Sequence, residues 1–94
     1  MDCKVLDFFA PSGGEVYIIE FPKPPFAPNF NLRLKYLDNT FKIIYLSVGS
    51  HDYYDRSGVL YANKVWSCGL KIIDKDEDIH IPNGAELKIL SEVN

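Results

Sequence analysis

Asn31-Leu32-Arg33-Leu34-Lys35-Tyr36-Leu37, then Asp38-Asn39-Thr40, then Phe41-Lys42-Ile43-Ile44-Tyr45-Leu46-Ser47-Val48, is the stretch that decides the fold. Its first arm alternates apolar and polar residues almost strictly. Successive side chains of a strand point to opposite faces, so this is the pattern of a half-buried strand. Leu32, Leu34 and Tyr36 share one face. Asn31, Arg33 and Lys35 share the other, which is expected to be wet. The second arm is rich in β-branched and aromatic residues. With Asp38-Asn39-Thr40 as the turn, the two arms predict an antiparallel hairpin.

Short apolar runs and turns recur on both sides of it. Upstream, Cys3–Phe9 has strand propensity with broken alternation, and Pro11–Gly14 turns the chain. Glu15–Phe21 then predicts a strand pairing back on the first. Pro22–Asn29 holds four prolines in seven residues and cannot supply ladder N–H groups. Its P-x-x-P spacing, at Pro22/Pro25 and Pro25/Pro28, suits a proline-recognising domain. A stiff crossover with Phe26 tucked in accounts for it more simply.

Downstream, Val59–Ala62 predicts a short strand and Asn63-Lys64 a turn or bulge. Val65–Cys68 and Leu70–Ile73 flank Gly69, where a bulge or bend is expected. Asp74–Asp78 is an acidic turn, Ile79–Ile81 a brief strand, Pro82–Gly84 a turn and Glu86–Leu90 the final strand. No stretch sustains helical periodicity. The expectation is all-β: one small domain over residues 1–94, a barrel or two-sheet sandwich of six to eight short antiparallel strands. The closing Ile81-Pro82-Asn83-Gly84-Ala85-Glu86-Leu87-Lys88-Ile89-Leu90 resembles the I-P-x-G-x-x-x-x-I segment of bacterial SH3-like barrels. That resemblance implies a barrel and no particular function.

Composition narrows the function classes. The 94 residues are 47% hydrophobic and 24% charged, which is the make-up of a folded chain. The net charge of -3 argues against a nucleic-acid binder, which needs a basic face to displace counterions. No apolar run is long enough to span a bilayer. Met1-Asp2-Cys3-Lys4 lacks the basic lead and apolar core of a signal peptide, so a cytoplasmic protein is expected (a host's cytoplasm, for a viral one). Cys3 and Cys68 then read as reduced, buried small hydrophobes, with a single disulfide as the alternative.

No catalytic motif is present, and the chain is expected not to be an enzyme and to use no cofactor. His51 and His80 are the two histidines, and neither has a triad context. Asp74-Lys75-Asp76-Glu77-Asp78 begins like a calcium loop, but Ile79 stands where glycine is needed and Glu86 falls one residue late. No metal is expected. Trp66 reads as core, or else as a stacking platform with Lys64 and Lys71 nearby.

What remains is Gly49-Ser50-His51-Asp52-Tyr53-Tyr54-Asp55-Arg56-Ser57-Gly58, read as a loop between two glycines. Tyrosine and arginine are enriched at binding hot spots, because they offer broad contact area at low entropic cost. The candidate binding residues are His51, Tyr53, Tyr54, Arg56, Ser57 and Tyr61. Asp52 and Asp55 stand beside Arg56 as possible ion-pair partners. In the opposing reading, the tyrosines fold back onto the barrel mouth and Asp55 and Arg56 form a turn.

Ser57-Gly58-Val59-Leu60-Tyr61-Ala62-Asn63, followed by Trp66 and Gly69, resembles the S-G-x-x-Y … W-x-x-G pattern of bacterial C-type lysozyme inhibitors. The resemblance implies that Ser57, Gly58 and Tyr61 enter a lysozyme cleft. It departs in the shorter Tyr61-to-Trp66 spacing and in having no late cysteine.

These features predict a non-enzymatic protein-binding module. The form expected is a small stoichiometric inhibitor of another protein, of the phage anti-defence or immunity type. Two alternatives stand beside it. One is a barrel holding a nucleotide-like small ligand with Trp66, tyrosines and Arg56. The other is a structural subunit of a viral or bacterial assembly, in which edge strands pair into a homo-oligomer.

Overall fold

The computed structural model describes residues 2–10, 14–22 and 27–90, with Asn63 described by its backbone alone. Seven strands form: β1 (Asp2–Phe9), β2 (Val16–Glu20), β3 (Arg33–Tyr36), β4 (Asn39–Leu46), β5 (His51–Tyr54), β6 (Leu60–Ile72) and β7 (Glu86–Leu90). Every pairing is antiparallel. The order is β2-β1-β7-β3-β4-β6-β5, and a further pairing of β2 with β6 closes the ring. Six strands thus make a barrel, with β5 added on β6. Closure pairs β2 with the Val65–Cys68 part of β6, two edges that a sandwich would leave open. Among the described residues there is no helix, and so none long and apolar enough to cross a membrane.

The β3–β4 hairpin forms as its alternation predicts, with Leu34 opposite Phe41 and both buried. Its turn is tighter than expected. Tyr36 already pairs with Asn39, so only Leu37 and Asp38 form the loop. A two-residue loop demands unusual backbone angles, and Leu37 sits at a φ of 54°. Inward side chains from the six barrel strands, with Phe21, Leu32 and Ile81, form one cluster that includes Val5, Ile19, Leu34, Phe41 and Leu87. Cys3 and Cys68 belong to it as free thiols. Burial pushes the Cys3 thiol up to about 12 and raises Cys68 as well.

Three expectations need correction. First, β6 is one 13-residue strand where two or three short ones were expected. Asn63-Lys64 does not turn. Val65 pairs with His51 while Tyr61 pairs with Tyr53, so residues 62–64 face a single residue of β5. That is a bulge, the second of the two features expected there, and it bends the strand. Second, the irregularity at Gly69 lies across from it. Ile43 pairs with Leu70 and Tyr45 with Gly69, which leaves Ile44 as the extra residue, in β4. A Cβ on Gly69 would stand 3.1 Å from the Tyr45 Cβ, so the bulge needs a glycine opposite. Third, Ile79–Ile81 is not a strand. Ile81 is fully buried, and its N–H donates to the Tyr17 hydroxyl at 3.2 Å. The segment packs its isoleucines into the barrel without joining a ladder. The turn expected over Pro11–Gly14 falls, but for Gly14, outside the described residues, as do residues 23–26 with Phe26.

Candidate functional site

The stretch read as a loop is half strand. His51–Tyr54 is β5, and it pairs with β6 as the first arm of a hairpin. Val65 pairs with His51 on one edge and Glu20 on the other, while Cys68 pairs with Leu46 and Tyr17. So β4 and β5 lie along one edge of β6 and β2 along the opposite edge. Leu60–Asn63 run on past the barrel wall, carrying β5 with them.

A carboxylate builds the hairpin's turn. Asp55 Oδ1 accepts from the N–H groups of Ser57 and Val59, both at 2.9 Å, and from the Ser57 hydroxyl at 2.7 Å. Tyr61 lends a further hydrogen bond. The Ser57 hydroxyl, then these others, hold the Asp55 carboxyl below its usual range. Gly58 closes the turn at a φ of 87°, donating to the Asp55 carbonyl. Asp55 therefore serves the turn and is not the partner of Arg56.

The bulge folds this hairpin back over the outside of the barrel. Tyr17 and Ile19 of β2, and Cys68 and Ile72 of β6, point inward. By alternation Ile18 and Val65 point outward, yet they are only 5% and 0% exposed. Something covers them. Asp7, which pairs with Ile18 across β1–β2, shows what does. Its Oδ2 accepts from the Tyr53 hydroxyl at 2.8 Å. Its Oδ1 accepts from Arg56 and from the Asn83 amide, both at 3.3 Å. In a flat sheet β5 would stand about 14 Å from β1, beyond the reach of a tyrosine. The hairpin must therefore curl across β6 and β2. The Tyr53 hydrogen bond is the main cause holding the Asp7 carboxyl below its usual range. Burial, then Asp7, raises the Tyr53 phenol.

The remaining contacts of this inner face are polar and aromatic. His51 is half-buried, and its Nε2 meets the Ser67 hydroxyl at 3.1 Å. Lys64 pairs with Glu20 at 3.0 Å and lies 5.8 Å over the Tyr61 ring. Residues directly opposite in a ladder share a face, so Tyr53 and Tyr61 both look toward the barrel.

Tyr54 and Leu60 form the next pair and look away. Tyr54 is 66% exposed, Leu60 45% and Val59, beside them, 51%. The hairpin thus turns its hydrogen-bonding face inward and shows Tyr54 and Leu60 to solvent, with the exposed Asp52 on the same face.

The six residues named from sequence come together on this hairpin, but they divide. Tyr53, Ser57, Tyr61 and His51 are tied into the fold. Arg56 is tied to Asp7 by a guanidinium that is itself 82% exposed. Tyr54 faces outward. Sequence reasoning missed Asp7 and Asn83 as anchors of the hairpin, and the exposure of Val59 and Leu60 beside Tyr54. The one available signal was the broken alternation of Cys3–Phe9, where the register of β1 slips between Val5 and Asp7.

The other candidates lie apart from the hairpin's outer face. Trp66 packs against the inner cluster, so it does not converge with Arg56 on one ligand. His80 pairs with Glu15 at 2.8 Å and stacks edge-on against Phe8 at 4.3 Å. Asp74 accepts from the Thr40 N–H at 3.0 Å and closes the loop after β6. Among the described residues no three His, Cys, Asp or Glu side chains gather to hold a metal ion.

No family model, curated protein or solved structure matches this chain. The functional reading therefore rests on the geometry of the hairpin.

Proposed function

We propose that the chain is a protein-binding module whose contact surface is the outer face of the β5–β6 hairpin. The observation that carries this reading is the outward pair Tyr54 and Leu60, with Val59 exposed beside them at the turn, on a hairpin that Tyr53 and Asp55 tie to the fold. Large apolar side chains exposed together and held rigid lose little entropy on binding, and they recover about 25 cal/mol per Å² of apolar surface covered. Arg56, largely exposed beside them, supplies a planar donor at the rim. Such a surface acts by occupancy, and stoichiometric inhibition of the partner is the simplest outcome of occupancy.

The test is a photo-crosslinking amino acid placed singly at 54 or 60 in cells that make the protein, with Leu37 on the far turn as control. The expected result is the same discrete protein adduct from 54 and 60 and none from 37. Adducts from 37 alone would overturn the proposal.

A further inference from the structure

A second opening lies in the barrel wall, away from the hairpin. The ladder between β2 and β6 ends at Tyr17 opposite Cys68, but β6 runs on to Ile72, paired only with β4. Where the two strands part there is a cleft of about 540 Å³. Ligand sites are commonly of this size. Its apolar walls include Val16, Ile44, Leu70 and Ile79.

One side of the cleft is the Leu70–Ile72 edge of β6. The Lys64 carbonyl accepts from Phe21 beyond β2, whereas the Ser67 carbonyl accepts from Ser47 beyond β4. Backbone groups of a strand point alternately to its two neighbours, so Leu70 and Ile72 turn their N–H and C=O toward the cleft. On that side they have no ladder partner among the described residues.

The rim is acidic. Asp78 and Glu15, the latter also paired with His80, line the opening, and Asp74, Asp76 and Glu77 outnumber Lys75 among the exposed charges on the same connection as Asp78. Lys71 is the only basic residue among the described residues that line the cleft.

We propose that this cleft binds an extended basic peptide as an added strand along Leu70–Ile72. Main-chain bonds to β6 fix the peptide, alternate apolar side chains enter the cleft, and lysine or arginine side chains meet Glu15 and Asp78. This site is independent of the hairpin surface.

The experiment is a titration of the ¹⁵N-labelled protein with two capped heptapeptides followed by NMR. One alternates lysine with valine and the other glutamate with valine. The lysine peptide is expected to shift the amides of Glu15–Tyr17 and Gly69–Ile72 and to spare Tyr53–Leu60. The glutamate peptide is expected to shift none of them at the same concentration. Asp78→Lys reverses an exposed charge that has no hydrogen bond or ion pair among the described residues, and it is expected to weaken the lysine peptide about fivefold at low salt. Shifts centred on Tyr53–Leu60, equal response to both peptides, or no response at millimolar peptide would each overturn the proposal.

Discussion

The bond between Tyr53 and Asp7 should hold the hairpin down, and its worth can be set in advance. Tyr53→Phe removes one hydroxyl and keeps the ring. Hydrogen bonds to charged groups contribute about 1.5–3 kcal/mol when well buried. The Asp7 side chain is 17% exposed and keeps Asn83 and Arg56 as partners, so water and neighbours recover part of the loss. About 1 kcal/mol is expected, which for a domain of this size lowers Tm by about 4–8 °C. Arg56→Ala should cost less, about 0.3 kcal/mol, because an exposed guanidinium is well solvated without its partner. Asp7→Ala orphans both Tyr53 and Asn83 and should cost more than either. The assay is urea unfolding of the two single variants and the double variant. The account expects Tyr53→Phe to cost little once Asp7 is already alanine, with a coupling of about 0.5–1 kcal/mol. Additive effects, or a Tyr53→Phe variant as stable as the parent, would refute it.

Three further outcomes follow from the same structure. Asp7 and Asp55 have carboxyls lowered from 3.8 in the fold, chiefly by the Tyr53 and Ser57 hydroxyls, so their contribution is present above the unfolded value and lost as pH falls through the lowered folded one. Hairpin amides followed by NMR should loosen below about pH 3.8, and Asp7→Asn should remove part of that acid sensitivity. Leu37 occupies a φ of 54° with its side chain in solvent; Leu37→Gly should stabilise by about 0.5–1 kcal/mol, read as a raised Tm. Cys3 and Cys68 are buried with raised thiol values, so a thiol reagent at pH 8 should label the folded protein only at its unfolding rate, and mass spectrometry should find both reduced.

The barrel was legible where periodicity spoke for itself. Leu32, Leu34 and Tyr36 against Arg33 and Lys35 announce a half-buried strand, and β4 follows from its composition. What was not legible came from tertiary partners. Asn63-Lys64 carries local turn chemistry, yet pairing to β2 and β5 on either edge of Val65 keeps the strand going and reduces the break to a bulge. His51–Tyr54 reads as loop because it lacks aliphatic residues. It covers a face whose own apolar residues, Ile18 and Val65, are already supplied, and that cover can be polar and aromatic. The residue that fixes the hairpin, Asp7, stands 46 positions before Tyr53, and no local pattern joins them. The candidate residues were found by type, but which of them face inward followed only from the register of β5 against β6.

We propose that Tyr54 and Leu60, with Val59 exposed beside them, are the surface by which this protein holds another. The most direct measurement is the affinity of the protein captured from positions 54 and 60 for a triple variant, Tyr54→Ala, Val59→Ser and Leu60→Ser. Asp7, Tyr53 and Asp55 remain, so the hairpin keeps its anchors. With two or more hot-spot contacts removed, the account predicts a loss of about 100-fold or more with the fold unchanged by NMR. Parental affinity in the folded triple variant would contradict it.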